Sequence, residues 1–394
     1  MRNLRLLTPG PTPVPQEVLA EIVRPMGHQR TDEFRRLLRE VTEGLQYLFQ
    51  TKGTCLTITG SGTAAMEAAI VTVCAPGRRA LVVRSGKFGE RWADVCRAFR
   101  IDHVPYDVEW GEAPDPDRIA RYLADDPSIG SVIVVHCETS TGTVCDLEAI
   151  ARVTRARDVL LIVDAVASAG ALPLRMDAWG VDVAATGSQK AMMLPPGLGF
   201  VAVGERAWAR AESFSSPAYY NCLKAYRKAL ASDFDAAYTP AIPLVAAARK
   251  TLSWIRGEGL EAVWARTARL ARAARAAGEA IGLPVFSKSP SDSVTAYVVP
   301  EGIDDGVLRA RLRNEYGVLV AGGQGRLKGR VIRIGHMGHV DATDLLGALA
   351  VLELVLASMG HRFEIGAGVA AAQRALMQPQ GASRPATATA EMRP

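Results

Sequence analysis

The chain has 394 residues, of which 48% are hydrophobic and 22% charged, the profile of an ordinary globular protein of about two domains. No apolar run approaches the ~20 residues of a membrane span, residues 1–5 lack the apolar core of a signal peptide, and a net charge of +5 without clustering marks neither a nucleic-acid nor a membrane partner. Six cysteines (Cys55, Cys74, Cys96, Cys137, Cys145 and Cys222) contain no CxxC pair, which leaves zinc and redox chemistry unsupported; four sit in or beside apolar stretches, as reduced core thiols do, and the cytoplasm is the expected compartment.

Residues 6–13, with three prolines and a glycine, form neither a helix nor a central strand, and composition alone reads them as an unstructured leader. From Glu33 to Phe49, apolar residues recur at three and four positions, which predicts a helix with one apolar stripe. A short strand at 56–58 leads into Gly60-Ser61-Gly62-Thr63, and strong helix formers follow from Ala64 to Val73. Such a turn offers free backbone N–H groups and the positive end of a helix dipole, which suits a phosphate; it is equally an ordinary helix cap.

A strand at 80–83 is followed by Phe88 and Trp92. An aromatic beyond a strand end can lie flat on a ring, whereas Trp92 reads as a packed helix residue. Residues 131–136 are a near-continuous apolar strand of the type buried on both faces, followed by Cys137-Glu138-Thr139-Ser140-Thr141-Gly142. His136 reads equally as core or as functional.

Residues 159–163 are five apolar residues that run into Asp164. Residues 182–186 form a further strand that breaks at Gly187 and places Lys190 just beyond it, before Pro195-Pro196-Gly197 and a strand at 199–203. Ligands of open parallel sheets lie beyond the carboxyl ends of the strands. Either residue alone reads as a cap or a solvated loop charge. Together, a buried amine and a carboxylate able to meet a pyridinium nitrogen are what pyridoxal phosphate requires.

Residues 214–238 lack clean periodicity and read as irregular, ending at Tyr238 in a Tyr-Thr-Pro turn. Leu244 to Ile281 is long and helical with a break at 257–259. Strands at 296–299, 318–320 and 331–334, with a helix from Leu345 to Ala357, make a smaller α+β unit, and Gly322-Gly323-Gln324-Gly325 reads as a mobile loop. Arg333 lies inside an apolar strand, where an unpaired guanidinium is costly; a substrate carboxylate or an internal acid would satisfy it. His336 and His339 have HxxH spacing without a third ligand, so no metal is expected. The division reads as an arm (1–15), a large α/β domain with a mostly parallel sheet (16–258), a small C-terminal domain (259–370) and a disordered tail (371–394).

Val163-Asp164-Ala165-Val166-Ala167-Ser168, Gly187-Ser188-Gln189-Lys190, Pro195-Pro196-Gly197 and Arg333-Ile334-Gly335-His336 together resemble the class V aminotransferases, nearest to the alanine–glyoxylate and serine–pyruvate enzymes, over roughly residues 6–368. The resemblance implies an α/β, fold type I (aspartate aminotransferase-like) enzyme. It implies pyridoxal phosphate on Lys190 and Gln189, with Asp164 at the ring nitrogen and Ser61, Gly62 and Thr63 at the phosphate. Phe88 would lie on the ring face in place of the family's usual tryptophan, and Thr139, in place of serine, at the ring oxygen. Gly10 would border the substrate and Arg333 bind its carboxylate. Tyr238 would reach the phosphate of a second subunit in a homodimer with shared sites; the threonine that follows in some members is displaced, with Ala241 in its place. The proline-rich arm and the 33–49 stripe also lack evident partners within one chain. The implied reaction moves an amino group from alanine or serine to glyoxylate or pyruvate by a ping-pong route. The alternatives are a 2-aminoethylphosphonate or other amine–pyruvate transaminase, a desulfurase-type lyase, and an idle interaction subunit. A desulfurase needs a loop cysteine in the C-terminal half, and none follows Cys222; Lys190, Asp164 and Arg333 together argue against an idle subunit.

Overall fold

A computed structural model of the protein describes residues 4–378. Seven strands form the main sheet: β1 (Thr54–Gly60), β2 (Arg79–Arg84), β3 (His103–Asp107), β4 (Ile129–Val135), β5 (Leu160–Asp164), β6 (Val183–Gly187) and β7 (Gly197–Val203). Their order is β1-β7-β6-β5-β4-β2-β3. All neighbours are parallel except β7, which runs antiparallel to both β1 and β6.

Apolar runs rather than alternation define these strands because both faces are covered. Leu81, Val83, Val132, Val134, Leu161 and Val163 face one layer, with α1 (Asp32–Phe49) and α4 (Ile242–Glu258). Ala80, Val82, Ile133, Val135, Leu160 and Ile162 face the other, with α2 (Gly62–Val73) and α3 (Lys87–Ala98). Each fully buried aliphatic side chain contributes on the order of 1.5–3 kcal/mol. β3 leaves no apolar run in the sequence because it is an edge strand in which only Tyr106 is buried. Of the α1 stripe, Phe34, Leu38, Val41, Leu45 and Leu48 are buried within the chain and Leu37 packs half-buried against the same core, which supplies the cover its spacing calls for.

Between β2 and β4, chain order and sheet order diverge: β2 leads outward to β3, and β4 leads the other way to β5. The loops that leave these two strands therefore part, and a crevice opens at their carboxyl ends.

Four further expectations are corrected. Residues 214–238 contain a helix, Leu223–Asp233, with Leu223 and Tyr226 buried and Leu230 packed on the core. The arm is not free: Arg5–Leu6 pair in parallel with Val318–Leu319, so this last strand joins the arm rather than the neighbouring three-stranded sheet. That sheet is antiparallel, β8 (Val294–Val298), β10 (Val331–Gly335) and β9 (Ala321–Gly322) in that order. Residues 322–325 are built structure, since Gly322 ends β9 and a 3-10 turn follows at Gly325–Leu327. Finally, α7 (Ala367–Met377) occupies the first part of the expected tail; residues 379–394 lie outside the described residues.

The helical break falls where expected. Gly259, at φ 86°, ends α4 and starts α5 (Leu260–Ala280), in a conformation a side chain would strain. α6 (Ala342–Ser358) and α7 pack against α5, and the buried Glu353 of α6 accepts backbone N–H groups of Gly366 and Val369 at the start of α7. Among the described residues no helix is long and apolar enough to cross a membrane.

Candidate active site

The carboxyl ends of β5 and β6 and the start of α2 converge on a cleft of about 240 Å³ lined by Gly10, Pro11, Ser61, Gly62, Thr63, Phe88, Arg91, Trp92, Asp164, Val166, Gln189, Lys190 and Pro196. Eight residues singled out in the sequence meet here, although they are spread over 180 positions from Gly10 to Lys190.

Lys190 follows β6 and is 9% exposed. Its Nζ donates to the carbonyl of Pro9, while Thr12 Oγ1 donates to the Lys190 carbonyl at 2.7 Å and Thr12 N to that of Gln189 at 3.1 Å. The arm thus lies across the lysine. Gly10 packs against it: at φ 129°, with a Cβ that would stand 2.5 Å from Lys190 Cδ, Cε and Nζ, no other residue fits. Burial lowers the Lys190 amine to about 8; the nearby Arg333 and Arg91 press in the same direction, against Cys137 and Asp164.

Asp164 ends β5 and is 3% exposed. Its Oδ1 accepts from Val166 N at 2.9 Å and its Oδ2 from Trp92 Nε1 at 3.1 Å. Burial raises its carboxyl to about 6, and Glu138 adds to this; the Val166 and Trp92 bonds and Lys190 oppose it. Trp92 is buried, as its spacing suggests, but it also holds the carboxylate, a role its helical position does not announce.

Ser61 caps α2 by accepting from Ala64 N at 3.3 Å, which leaves the N–H groups of Gly62 and Thr63 at the cleft. Arg91, absent from the sequence reading, donates to Thr63 Oγ1 at 3.1 Å and lies 4.7 Å over the Phe88 ring. A helix N-terminus with a guanidinium beside it is an anion site.

Four residues singled out in the sequence lie elsewhere. Thr139 does not line the cleft; its carbonyl accepts from Arg333 Nη1 at 2.7 Å. Arg333, on β10 and 5% exposed, also donates from Nε to the Gly322 carbonyl at 2.9 Å, and it has no ion pair among the described residues. Burial lowers its guanidinium to about 10. Tyr238 lies in a ring cluster with Tyr219, Tyr220 and Tyr226, and its hydroxyl donates to the Tyr219 carbonyl at 3.2 Å. His136 is a buried core residue, edge-on to Trp179, and burial lowers it to about 4.

The cleft therefore offers a desolvated amine, a buried carboxylate and an anion cradle. The aminotransferase class-V family model matches residues 6–328. A protein of Anabaena cylindrica named soluble hydrogenase 42 kDa subunit is 43% identical, over 94% of this chain and 98% of its own. The L-aspartate–glyoxylate aminotransferase of Paracoccus denitrificans is 35% identical over 96% of this chain and 98% of its own. Among solved structures, the ureidoglycine–glyoxylate aminotransferase of Bacillus subtilis is similar with a TM-score of 0.90 at 30% identity, covering 95% of this chain and 98% of that one.

The residues of the cleft fit pyridoxal phosphate. Gln189 Oε1 is buried in its wall without a protein partner, the N–H groups at the start of α2 suit a phosphate, and the buried Asp164 carboxylate suits a cationic ring nitrogen. The chain belongs to the class V aminotransferases, and it is a pyridoxal-phosphate-dependent transaminase of the fold type I architecture.

Proposed function

We propose that the protein moves an amino group from a small amino acid, alanine or serine, to glyoxylate or pyruvate by a ping-pong route, with glyoxylate the better acceptor. The observation that carries the site assignment is the meeting of the Lys190 amine and the Asp164 carboxylate in one buried cleft with the start of α2. Both aminotransferase relatives above are named for glyoxylate, which supports the acceptor. The donor rests on the sequence resemblance, and one of those relatives is named for aspartate.

When bound, pyridoxal phosphate supplies an aldehyde that condenses with amines and a ring that withdraws electrons from a substrate carbon. In this reading Lys190 Nζ would hold the cofactor and would also serve as the general base that carries the proton from the substrate α-carbon. Its lowered value leaves a usable fraction of the amine neutral near neutral pH. Asp164 keeps the ring nitrogen charged, and Trp92 orients Asp164. Ser61, Gly62, Thr63 and Arg91 would hold the phosphate, and Phe88 would contact the ring. Gln189 would complete the cofactor contacts and Gly10 would border the substrate, whereas Thr139, outside the cleft, acts through its carbonyl on Arg333.

Arg333 takes the substrate carboxylate. Two of its nitrogens are held by carbonyls that carry no net charge, so its own charge remains available. Arg333→Ala is expected to weaken donor binding by ~1.5–3 kcal/mol, roughly 10- to 150-fold in KM, with a smaller change in kcat. Wild-type saturation in that variant would make the arginine structural.

A homodimer with shared sites remains part of this reading, on narrower grounds than the sequence alone suggests. The arm and the α1 stripe both find partners within one chain, which leaves Tyr238. It lies outside the Lys190 cleft of its own chain and beside Tyr219, which is 83% exposed. A heterodimer of Lys190→Ala and Tyr238→Phe chains is expected to keep one near-normal site, because both defects fall together in the other. Two impaired sites, measured as cofactor retention, would assign Tyr238 to its own subunit.

The test of the proposed substrates is a panel of alanine, serine, aspartate and 2-aminoethylphosphonate as donors against glyoxylate, pyruvate and 2-oxoglutarate. Alanine or serine with glyoxylate should give the highest kcat/KM. Preference for aspartate, for the phosphonate amine, or for 2-oxoglutarate would overturn the assignment.

A further inference from the structure

We infer that Glu138 is a positioning residue that fixes one wall of the cleft and the neighbouring arginine at once: the start of α3, which carries Phe88, Arg91 and Trp92, and the peptide that orients Arg333. This rests on the proposed reading of the site and goes beyond it, since nothing in the sequence or in the chemistry above uses Glu138.

The first N–H groups of a helix have no partner within the helix. α3 begins after Gly86, which has no side chain to supply one. The loop that leaves β4 supplies them instead. Ser140 Oγ accepts from Lys87 N at 3.0 Å, and Glu138 Oε2 accepts from Phe88 N at 3.0 Å and Gly89 N at 3.1 Å. Gly86 is part of the fit, since a Cβ there would overlap the Glu138 side chain and stand 2.5 Å from Ser140 Oγ. The anchored turn carries Phe88, and Arg91 and Trp92 follow in the next, where they reach Thr63 and Asp164.

The other carboxylate oxygen, Glu138 Oε1, accepts from Ser140 N at 3.1 Å and Ser140 Oγ at 2.6 Å. Ser140 N and the Thr139 carbonyl belong to one peptide unit, and a trans peptide points its N–H and C=O in opposite directions. Fixing the N–H on Glu138 therefore aims the carbonyl away from it, and that carbonyl accepts from Arg333 Nη1 at 2.7 Å. Glu138 is 1% exposed and Ser140 fully buried, so no solvent competes for these four bonds. The loops from β2 and β4 are those that part at the sheet's switch point, and Glu138 is the bond across that crevice.

Glu138→Gln keeps the side chain's size but turns an NH2 toward either the α3 N–H groups or Ser140. In the full-length protein it should raise both the Kd for pyridoxal phosphate, titrated into apoprotein, and the KM for the amino donor by about tenfold or more, with a smaller fall in kcat. Phe88→Ala should move only the first of these and Arg333→Ala only the second. Glu353→Gln, an equally buried carboxylate that accepts two backbone N–H groups in α7, is the control: it should lower Tm without moving either constant. If Glu138→Gln does not fold, Ser140→Ala decides, with a two- to fivefold rise in both constants expected. A folded Glu138→Gln protein, or failing that Ser140→Ala, with both constants at wild-type values or only one of them moved would overturn the inference. Wild-type protein that binds no pyridoxal phosphate would instead sink the reading of the site on which it rests.

Discussion

Lys190→Ala is expected to fold normally and to lose all multiple-turnover amino transfer, a fall of at least about 10⁴-fold. The wild-type amine is nearly enclosed, and its charge is disfavoured by burial. Its truncation removes a desolvated cation rather than a core contact, so stability should hold while chemistry fails. The visible absorption of the lysine-bound cofactor should vanish with it. A related pH test uses the wild-type apoprotein. Condensation requires the neutral amine, and the neutral fraction grows as pH rises through the lysine's value. The rate of reconstitution should therefore climb with pH and be half-maximal near about 8 rather than near the ordinary lysine value of 10.5. Full activity in Lys190→Ala would mean that the cofactor is held elsewhere.

Asp164→Asn is expected to retain part of its cofactor while proton abstraction slows by ~10²–10⁴-fold. Two losses combine. The anion that, in the proposed site, would keep the ring nitrogen protonated is gone, and a neutral pyridine is a weak electron sink. The local bonds also suffer: asparagine Oδ1 can still accept from Val166 N, but its NH2 would then face the Trp92 Nε1–H, donor against donor. Trp92→Phe should reproduce a fraction of the defect by freeing the carboxylate without neutralising it. Single-turnover spectra of the donor half-reaction measure the step directly. An unchanged rate in Asp164→Asn would remove the residue from the mechanism.

The parts of the molecule legible in the sequence are those whose signal is local. β4, β5, β6 and β7 are buried on both faces and stand out as apolar runs, and Asp164 and Lys190 are visible because a charge interrupts each pattern. β3 has one buried residue and leaves no such run. The helix Leu223–Asp233 did carry a signal, Leu223, Tyr226 and Leu230 at helical spacing, that its aromatic and polar neighbours mask. What is lost is what depends on contacts distant in sequence. Trp92 meets Asp164 across 72 positions, and the arm is tied down by Lys190 and Val318–Leu319, so neither relation leaves a trace in the surrounding residues. Glu138 is the clearest case, because a carboxylate after a buried strand has many uses and only the position of α3 selects one.

In the proposed site, Lys190 carries pyridoxal phosphate. Reducing the purified holoprotein with borohydride, digesting it and mapping the pyridoxyl group by mass spectrometry tests this most directly. One labelled peptide is expected, with the group on Lys190 Nζ. Label on another lysine, or no label in protein that still transaminates, would contradict it.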